Sequence, residues 1–402
     1  MQILLNKRIL LGVTGSISAY KMFDLVRRLK TEGAETRVIL TKGAQTFVTP
    51  LPFEVFTKHH VYTDIFRFSP DYPIIHIDLA KWADILVISP ATAHVLAKLS
   101  QGIADDLLTN IVLVFDKPIL LCPSMSESMY EKKIVQENIK RLKQQGFYVM
   151  APTTGRLASY MVGTGRLPEV DDIIEMIRSF FMPKGLSGYK ILVTAGPTKE
   201  PIDPIRFLSN YSSGRMGFAL AKIAQFCGAE VTLISGPTNL RPPYGVDFIS
   251  VETAKEMKET VMDQFEKVDA VIMAAAVADF MPVYSEKKIK KQKGLTLHLE
   301  EAPDILRELG KMKKRQILVG FSAETGNVFL EATRKLKEKC LDLIVANDVT
   351  LPGVGFSVPT NKVTLINKNG VREEWALMSK EKVAMRLCDR IGELLRHRNA
   401  NT

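Results

Sequence analysis

The segment SEKKIKKQKG carries a high density of positive charge close to an apolar segment. Five lysines fall within seven positions, Lys287 to Lys293, shortly after the apolar run DAVIMAAAVADF. Ammonium groups can neutralise phosphate and carboxylate charge and stabilise negative charge that develops in a transition state. A run of like charge is also commonly a solvated surface. The residues alone leave both interpretations open.

A long segment rich in proline and glycine, TAGPTKEPIDPIRFLSNYSSGRMG, precedes a helix predicted to begin at Met216. Long ordered loops inside compact domains are commonly functional. Arg206 and Arg215 offer guanidinium groups to a carboxylate or a phosphate, and Asn210 offers both a donor and an acceptor. The segment therefore predicts a loop that binds an anionic ligand.

A second small-residue turn, GVTGSISAYK, places Gly12, Gly15 and Ser16 between the first predicted strand and the first predicted helix. Small residues let backbone N–H groups approach a ligand, and a helix N-terminus favours an anion. The motif is neither GxGxxG nor a P-loop. It predicts either a phosphate site or a plain tight turn.

Further polar groups lie among apolar residues in the first half of the chain. His76 lies within IIHIDLAKWAD, and a lone histidine there is more often a core residue than a catalyst. The segment ISPATAHVLAKLSQGIADDLLT brings Thr92 and His94 to a helix start and ends in Asp105 and Asp106. For this acidic pair we favour a helix N-cap over a ligand site.

Short apolar strands alternate with helical patterns along the whole chain. Strands are predicted at RILLGVTG, ETRVILT, ADILVISP, KPILLCPS, YKILVTAGPT, AEVTLIS, DAVIMAAAV, QILVGFS and LDLIVAND. Such alternation predicts parallel sheets with helices on both faces. The segment FMPKGLSG at 181–188 interrupts the pattern and predicts a linker. We therefore expect two doubly wound α/β domains, 1–182 and 188–402.

Composition excludes several classes of protein. The chain has 402 residues, 46% of them hydrophobic, and a net charge of +10. Its four cysteines form no CxxC pair, its histidines show no HExxH spacing, and no signal peptide or membrane span is evident, so a reducing cytoplasm is expected. Basic residues are not interleaved with aromatics, which disfavours nucleic-acid binding. A nicotinamide dehydrogenase would need GxGxxG followed by an acidic residue.

These segments together resemble one family, the bifunctional flavoprotein of coenzyme A biosynthesis that fuses phosphopantothenoylcysteine decarboxylase to phosphopantothenate–cysteine ligase. The resemblance covers essentially the whole chain. In the first half it rests on GVTGSISAYK, HIDLA, SPATA, ADDLL and PSMSESMY, and in the second on TAGPTKEPIDPIRFLSNYSSGRMG, AAAVADF, KKIKK, PDIL, GFSAET and VANDV. It implies an N-terminal FMN-binding flavoprotein domain and a C-terminal Rossmann-like ligase domain that uses CTP.

For the first domain the resemblance implies decarboxylation of 4′-phospho-N-pantothenoylcysteine with FMN, and His76 matches the family's active-site histidine. Residues near the flavin would be Gly15, Ser16, Thr41, Ala91 and Thr92.

Three positions of the first domain depart from the family pattern. Ser126 and His94 replace asparagines that are usual there, with Ser126 in the substrate-binding motif. Ser159 replaces a cysteine that often donates the final proton. A hydroxyl is far less acidic than a thiol, so an active ligase joined to a weak or altered decarboxylase is the alternative.

For the second domain the resemblance implies ligation of 4′-phosphopantothenate to cysteine through an acyl cytidylate. Lys288 corresponds to the catalytic lysine, Asn210 would support the acyl cytidylate, and Arg206 would position the loop or the substrate. Mg²⁺ is expected with CTP, without named protein ligands. Residues implied around CTP are Met273, Ala274, Ala275, Asp279, Lys288, Pro303, Asp304, Ile305, Leu306, Phe321, Lys335 and Lys339.

The resemblance also implies that the partners are small molecules, namely 4′-phosphopantothenate, cysteine and CTP, with no nucleic acid and no membrane. It further implies a homo-oligomer, in which the flavin domains form trimers and the ligase domains form dimers.

Overall fold

The structure is a computed structural model that describes residues 3–66, 74–156, 162–291 and 294–400. The chain divides into two compact units, and the division falls between Phe181 and Met182. Among the described residues, no helix is both long and apolar enough to cross a membrane.

The first unit is built on a five-stranded parallel sheet with the order β2-β1-β3-β4-β5. Consecutive residues of β1, β3 and β4 are buried, because helices cover both faces of the sheet. The strand order reverses between β1 and β3, which is the flavodoxin-like arrangement. The strands are β1 (Arg8–Val13), β2 (Glu35–Leu40), β3 (Ile85–Ala91), β4 (Ile119–Pro123) and β5 (Tyr148–Val149).

Eight α-helices of the first unit lie in the described ranges, together with a short antiparallel hairpin. One buried apolar cluster joins β1 to β4 with several of these helices. The helices are α1 (Lys21–Thr31), α2 (Pro50–Thr57), α3 (Ile75–Trp82), α4 (Ala93–Gln101), α5 (Leu107–Val114), α6 (Glu127–Tyr130), α7 (Lys133–Gln144) and α8 (Val170–Phe180). The hairpin strands are β6 (Thr153–Arg156) and β7 (Val162–Arg166).

The second unit contains an eight-stranded sheet with the order β12-β11-β8-β13-β16-β17-β18-β19. Its first six strands are parallel, in the order that defines the Rossmann fold, and β18 and β19 add an antiparallel edge. The sheet strands are β8 (Lys190–Ala195), β11 (Glu230–Ser235), β12 (Asp247–Ser250), β13 (Ala270–Met273), β16 (Ile317–Glu324), β17 (Leu343–Asp348), β18 (Thr360–Asn367) and β19 (Arg372–Ser379).

Two small hairpins and five helices complete the described part of the second unit. The hairpins pair β9 (Lys199–Pro201) with β10 (Phe207–Ser209), and β14 (Phe280–Pro282) with β15 (Leu299–Glu301). The helices are α9 (Arg215–Phe226), α10 (Ala254–Phe265), α11 (Ile305–Met312), α12 (Val328–Glu338) and α13 (Lys380–Ala400).

The structure confirms the predicted α/β class and every predicted strand. The sequence analysis did not identify β12 or the β18–β19 edge, and the helix expected at Met216 begins one residue earlier, at Arg215.

Helix α9 packs unusually closely on the end of β8, because position 217 has no side chain. A Cβ atom added to Gly217 would lie 2.5 Å from the Cβ of Ala195 and 2.8 Å from the carbonyl oxygen of Thr194. This contact fixes the start of α9 beside the carboxyl end of β8.

Gly217→Ala should therefore lower the free energy of unfolding by about 1–3 kcal/mol, because the added methyl group must push helix and strand apart. The measurement is the melting temperature of the second unit by calorimetry. Gly326→Ala is the matched control, since an added Cβ there meets no atom within 4 Å. Equal melting temperatures for both variants would contradict this account.

Candidate active sites

In the first unit, a cavity of about 520 Å³ lies at the carboxyl ends of β1 and β3, where the strand order reverses. Open α/β sheets bind ligands at this position. Its lining is rich in small and hydroxylic residues and consists of Gly15, Ser16, Thr41, Lys42, Gly43, Thr92, Ala93, His94, Val95, Lys98, Asp106, Ser124, Met125 and Met129.

Hydrogen bonds from threonine hydroxyl groups hold the turns around this cavity. The Oγ1 of Thr14 donates to the carbonyl oxygen of Pro90 at 2.7 Å and accepts from the backbone N–H of Thr92 at 3.2 Å. The Oγ1 of Thr41 donates to the carbonyl oxygen of Val13 at 3.3 Å. A Cβ added to Gly15 would lie 3.0 Å from the backbone of Gly43, so the two turns approach closely. The turn after β1 is thus locked to the turns after β2 and β3.

A chain of serine hydroxyls continues along one wall of the cavity. The Oγ of Ser18 lies 2.8 Å from that of Ser124 and 2.9 Å from that of Ser16. Hydroxyl groups can donate or accept, so this wall can adapt to a phosphate or to another polar group.

The structure brings together four of the five predicted flavin-side residues, since Gly15, Ser16, Thr41 and Thr92 line the cavity. The fifth, Ala91, is fully buried at the end of β3.

Two other predicted site residues, His76 and Ser126, do not line this cavity. His76 lies half-buried in the first turn of α3, and its side chain makes no hydrogen bond within the described ranges. Ser126 is exposed at the N-cap of α6, and Ser159 lies outside the described residues.

The N-cap interpretation of the acidic pair is confirmed for Asp106. Its Oδ1 accepts from the backbone N–H of Thr109 at 2.8 Å in a capping box that begins α5. Asp105 instead pairs with the ammonium of Lys98 at 2.7 Å. Lys98 lines the cavity but had no local signal in the sequence.

In the second unit, a cavity of about 650 Å³ lies between the SSG loop before α9 and the segment that follows β13, and it extends over β16. Every residue that the resemblance implies around CTP lines this cavity, with the exception of Lys288. Asn210 lines the cavity as well. Its wall carries more cationic side chains than carboxylates. The carboxylates are those of Asp279, Glu301 and Asp304. The cationic residues there are Arg215, Arg307, Lys335, Lys339 and Lys380.

Asn210 joins the SSG loop to the segment after β13. Its Nδ2 donates to the carbonyl oxygen of Ala276 at 2.6 Å, and its Oδ1 accepts from the N–H of Ser212 at 3.0 Å. The hydroxyls of Thr194 and Thr198 accept from the N–H groups of Ala275 and Ala278 at 3.2 and 3.0 Å. The TAGPT motif, which does not line the cavity, therefore holds the AAAVAD segment of the cavity wall through hydrogen bonds.

Lys335 and Lys339 enter the cavity with acidic partners. The Nζ of Lys335 donates to Glu324 at 2.6 Å, and that of Lys339 donates to Asp304 at 2.9 Å. Burial opposes ionisation of Glu324, but the bonds from Lys335 and Ser322 outweigh it and hold its pKa below the usual value. Both ammonium groups are thus held in place at the wall.

Lys288 lies outside the cavity lining, with an exposed side chain in the connection between β14 and β15. Arg206 is also exposed, and its Nη1 donates to the carbonyl oxygen of Ile289 at 3.2 Å. The lysine run is therefore tied to the PIDPIR loop at the residue after Lys288.

Lys380 is a cavity cation that sequence analysis missed. It is 5% exposed, and its Nζ donates to the carbonyl oxygens of Gly355 and Phe356 at 3.0 and 3.3 Å. Burial lowers its pKa to about 8, and repulsion from Arg215 adds to the shift. No local motif marks it, because its neighbours in the cavity are remote in sequence.

Two family models match the chain, "Flavoprotein" over residues 2–182 and "DNA/pantothenate metabolism flavoprotein C-terminal domain" over residues 186–395. They define a flavoprotein of two α/β domains. The Coenzyme A biosynthesis bifunctional protein CoaBC of Bacillus subtilis (strain 168) is 45% identical over 97% of each chain. The chain belongs to the family of bifunctional coenzyme A biosynthesis proteins, which confirms the predicted family and the predicted bifunctional enzyme.

Two further proteins are similar to this chain. A cysteine/cysteine sulfinic acid decarboxylase from an unknown prokaryotic organism is 43% identical and covers 84% of this chain and 96% of its own. The crystal structure of the C-terminal domain of a coenzyme A biosynthesis bifunctional protein CoaBC is 44% identical, with a TM-score of 0.47. It covers 53% of this chain and 99% of its own.

The lowered pKa of Lys380 makes stability depend on pH. Between pH 8 and the ordinary lysine value of 10.5, the unfolded chain binds a proton that the folded chain does not, so stability should rise with pH. Relative to Lys380→Met, the native protein should gain about 2 kcal/mol, or about 5 °C in melting temperature, across this window. The measurement is calorimetry from pH 7.5 to 10.5.

The exposed Lys362 provides the control for this prediction. The melting temperature of Lys362→Met should change with pH in the same way as that of the native protein. If the melting temperatures of the native protein and of Lys380→Met changed with pH in parallel, Lys380 would have an ordinary pKa in the folded protein.

Proposed function

We propose that the second unit joins 4′-phosphopantothenate to cysteine with CTP, and that the first unit decarboxylates the product with FMN. The observation that carries the proposal is the single cavity lined by Asn210, the AAAVAD segment, the PDIL segment, Lys335 and Lys339. The resemblance assigns Asn210 to the acyl cytidylate and the other groups to CTP, and they come from scattered parts of the sequence.

In the proposed ligation, the carboxylate of 4′-phosphopantothenate attacks the α-phosphate of CTP and expels pyrophosphate. The amine of cysteine then attacks the acyl carbon, forms the amide bond and releases CMP. The first step brings a carboxylate towards a triphosphate, so negative charge must be neutralised before the reacting atoms meet. Lys335 and Lys339 would hold the phosphates, and Asn210 would bind the acyl cytidylate.

Lys288 would stabilise the charge that develops at the α-phosphate. Because its side chain is exposed outside the cavity lining, the proposal requires this long side chain to turn towards bound CTP. Mg²⁺ would enter with the nucleotide, since this ion usually binds phosphates and water and takes few protein ligands.

For the first unit, the small-residue turns and hydroxyl-lined wall of the cavity fit a phosphate-bearing cofactor such as FMN. Bound flavin supplies the electron sink that loss of a carboxylate requires. Thr41, Thr92 and Ser16 would form hydrogen bonds with it, and His76 would orient or protonate the substrate. His76 lies away from the cavity lining, which supports a site completed by a second copy of the chain, as in the expected trimer.

A second candidate for the first unit is decarboxylation of a smaller cysteine derivative. Three observations favour it, namely Ser126 and Ser159 at positions where the family usually has asparagine and cysteine, and the similarity to the cysteine/cysteine sulfinic acid decarboxylase. The two substrates differ in the pantothenate arm, so release of carbon dioxide from each, followed by mass, separates the two candidates.

Lys288→Ala should lower the ligation rate by about 10²–10³-fold, because one cation at the developing charge is removed. Decarboxylation of added 4′-phospho-N-pantothenoylcysteine should be unchanged. Both reactions are measured in one coupled assay by mass detection of each product. Lys368→Ala removes an exposed lysine of the same unit and should leave both rates unchanged. Equal loss of both activities in Lys288→Ala would refute the division of labour.

His76→Asn should have the opposite effect, with decarboxylation reduced by about 10²–10⁴-fold and ligation unchanged. The same coupled assay measures both rates, and the FMN absorbance of the purified variant checks that the cofactor is retained. His60→Asn is the control, since His60 is an exposed partner of Glu54 in the same unit. Normal decarboxylation by His76→Asn would remove His76 from the site.

A further inference from the structure

We infer that Asp203 is a positioning residue for Lys288, which it holds through the neighbouring peptide of Ile289. The inference rests on the proposed role of Lys288 in ligation and deepens it. Asp203 belongs to the PIDPIR loop and does not line the cavity, so it would act on the reaction only through the lysine segment.

Asp203 uses its two carboxylate oxygens for different tasks. Oδ1 accepts from the backbone N–H groups of Ile205 and Arg206 at 2.9 and 2.8 Å, which closes the loop locally. Oδ2 accepts from the N–H of Ile289 at 3.1 Å and from Nη1 of Arg206 at 3.1 Å. A local turn needs only Oδ1, so Oδ2 is free to bind a segment that is remote in sequence.

The carboxylate is suited to this contact because its side chain is fully shielded from solvent. Burial alone would favour the neutral acid. The N–H donors of Ile205, Ile289 and Arg206, together with the Arg206 guanidinium, outweigh burial and hold the pKa of Asp203 below its usual value. The group is therefore a permanent anion at neutral pH, with acceptor capacity only.

Both backbone polar groups of Ile289 are held by the same pair of residues. Its N–H donates to Asp203, and its carbonyl oxygen accepts from Nη1 of Arg206 at 3.2 Å. A second tie lies just upstream, where the N–H of Ser285 donates to the carbonyl oxygen of Ile202 at 2.9 Å. Lys288 thus lies between two anchored positions, so its backbone is fixed while its side chain is exposed.

The informative variant is Asp203→Asn, which keeps the size of the side chain but replaces one oxygen with an amide NH₂ group. If the remaining oxygen faces the loop, the NH₂ group meets the N–H of Ile289 and the guanidinium of Arg206, which are both donors. If the amide flips, it meets the two N–H groups of the loop instead. In either orientation, the amide NH₂ group therefore faces two donors and loses the hydrogen bonds on that side.

The experiment measures the first half-reaction of the full-length protein in a double-mutant cycle. Pyrophosphate release from CTP and 4′-phosphopantothenate, without cysteine and with enzyme in excess, is followed for the native protein, Asp203→Asn, Lys288→Ala and the double variant. Asp203→Asn should slow the native reaction by about 100-fold, as expected when a catalytic group is misplaced by about 1 Å. On the Lys288→Ala background, it should change the rate less than twofold.

Two further measurements separate positioning from a general loss of structure. Hydrogen exchange at the amide of Ile289 should accelerate in Asp203→Asn, while the affinity for CTP alone should stay within twofold of native. Ile289→Pro deletes the N–H donor and leaves Asp203 intact, so it should reproduce the kinetic loss even if Asp203→Asn folds poorly. Asp263→Asn, an exposed aspartate on α10, should behave as the native protein.

The inference would be overturned if Asp203→Asn lowered the rate of pyrophosphate release by the same factor in the native protein and in Lys288→Ala. Asp203 would then act without Lys288. A native pyrophosphate rate in Lys288→Ala would overturn the proposed function itself, and the inference with it. Unchanged rates in both Asp203→Asn and Ile289→Pro, beside an inactive Lys288→Ala, would overturn the inference alone.

Discussion

Both units depend on the reversal of strand order within a parallel sheet. At this point the connections from two neighbouring strands leave in opposite directions, and a crevice opens at the carboxyl edge. In the first unit the crevice lies at the ends of β1 and β3, and in the second the cavity lies between the loop before α9 and the segment after β13. The geometry of the sheet, and not any one side chain, therefore determines where loops can converge on a ligand.

The hydroxyl and amide side chains at these edges then turn flexible loops into fixed walls. Thr14 and Thr41 fix the first crevice, and Thr194, Thr198 and Asn210 fix the second. Each group adds a hydrogen bond to a backbone N–H or carbonyl of a neighbouring turn. These contacts hold the turns of each wall together in the structure as described.

Charge in the second cavity is balanced by local partners. Lys335 and Lys339 contact carboxylates, and Lys380 contacts backbone carbonyls, so each partly buried ammonium is compensated. An anionic ligand would have to attract these groups away from their partners or share them. The exposed lysines between β14 and β15 differ, because there the backbone is anchored through Asp203 while the charges remain in solvent. The second unit therefore combines a prearranged cationic wall with a separate set of exposed lysines.

The sequence by itself determined the α/β class and the strands of continuous apolar residues, because a strand buried on both faces leaves a local signature. Its motifs indicated the family by resemblance. It did not reveal β18 and β19, whose exposed faces interrupt the apolar run. The position of Lys380 and the partners of Asp203 were decided only by the tertiary structure, whereas Arg215 had been named from the sequence as a candidate anion-binding residue. Their contacts join segments far apart in the chain, such as Asp203 with Ile289, and no local periodicity encodes which distant backbone group a buried carboxylate will bind.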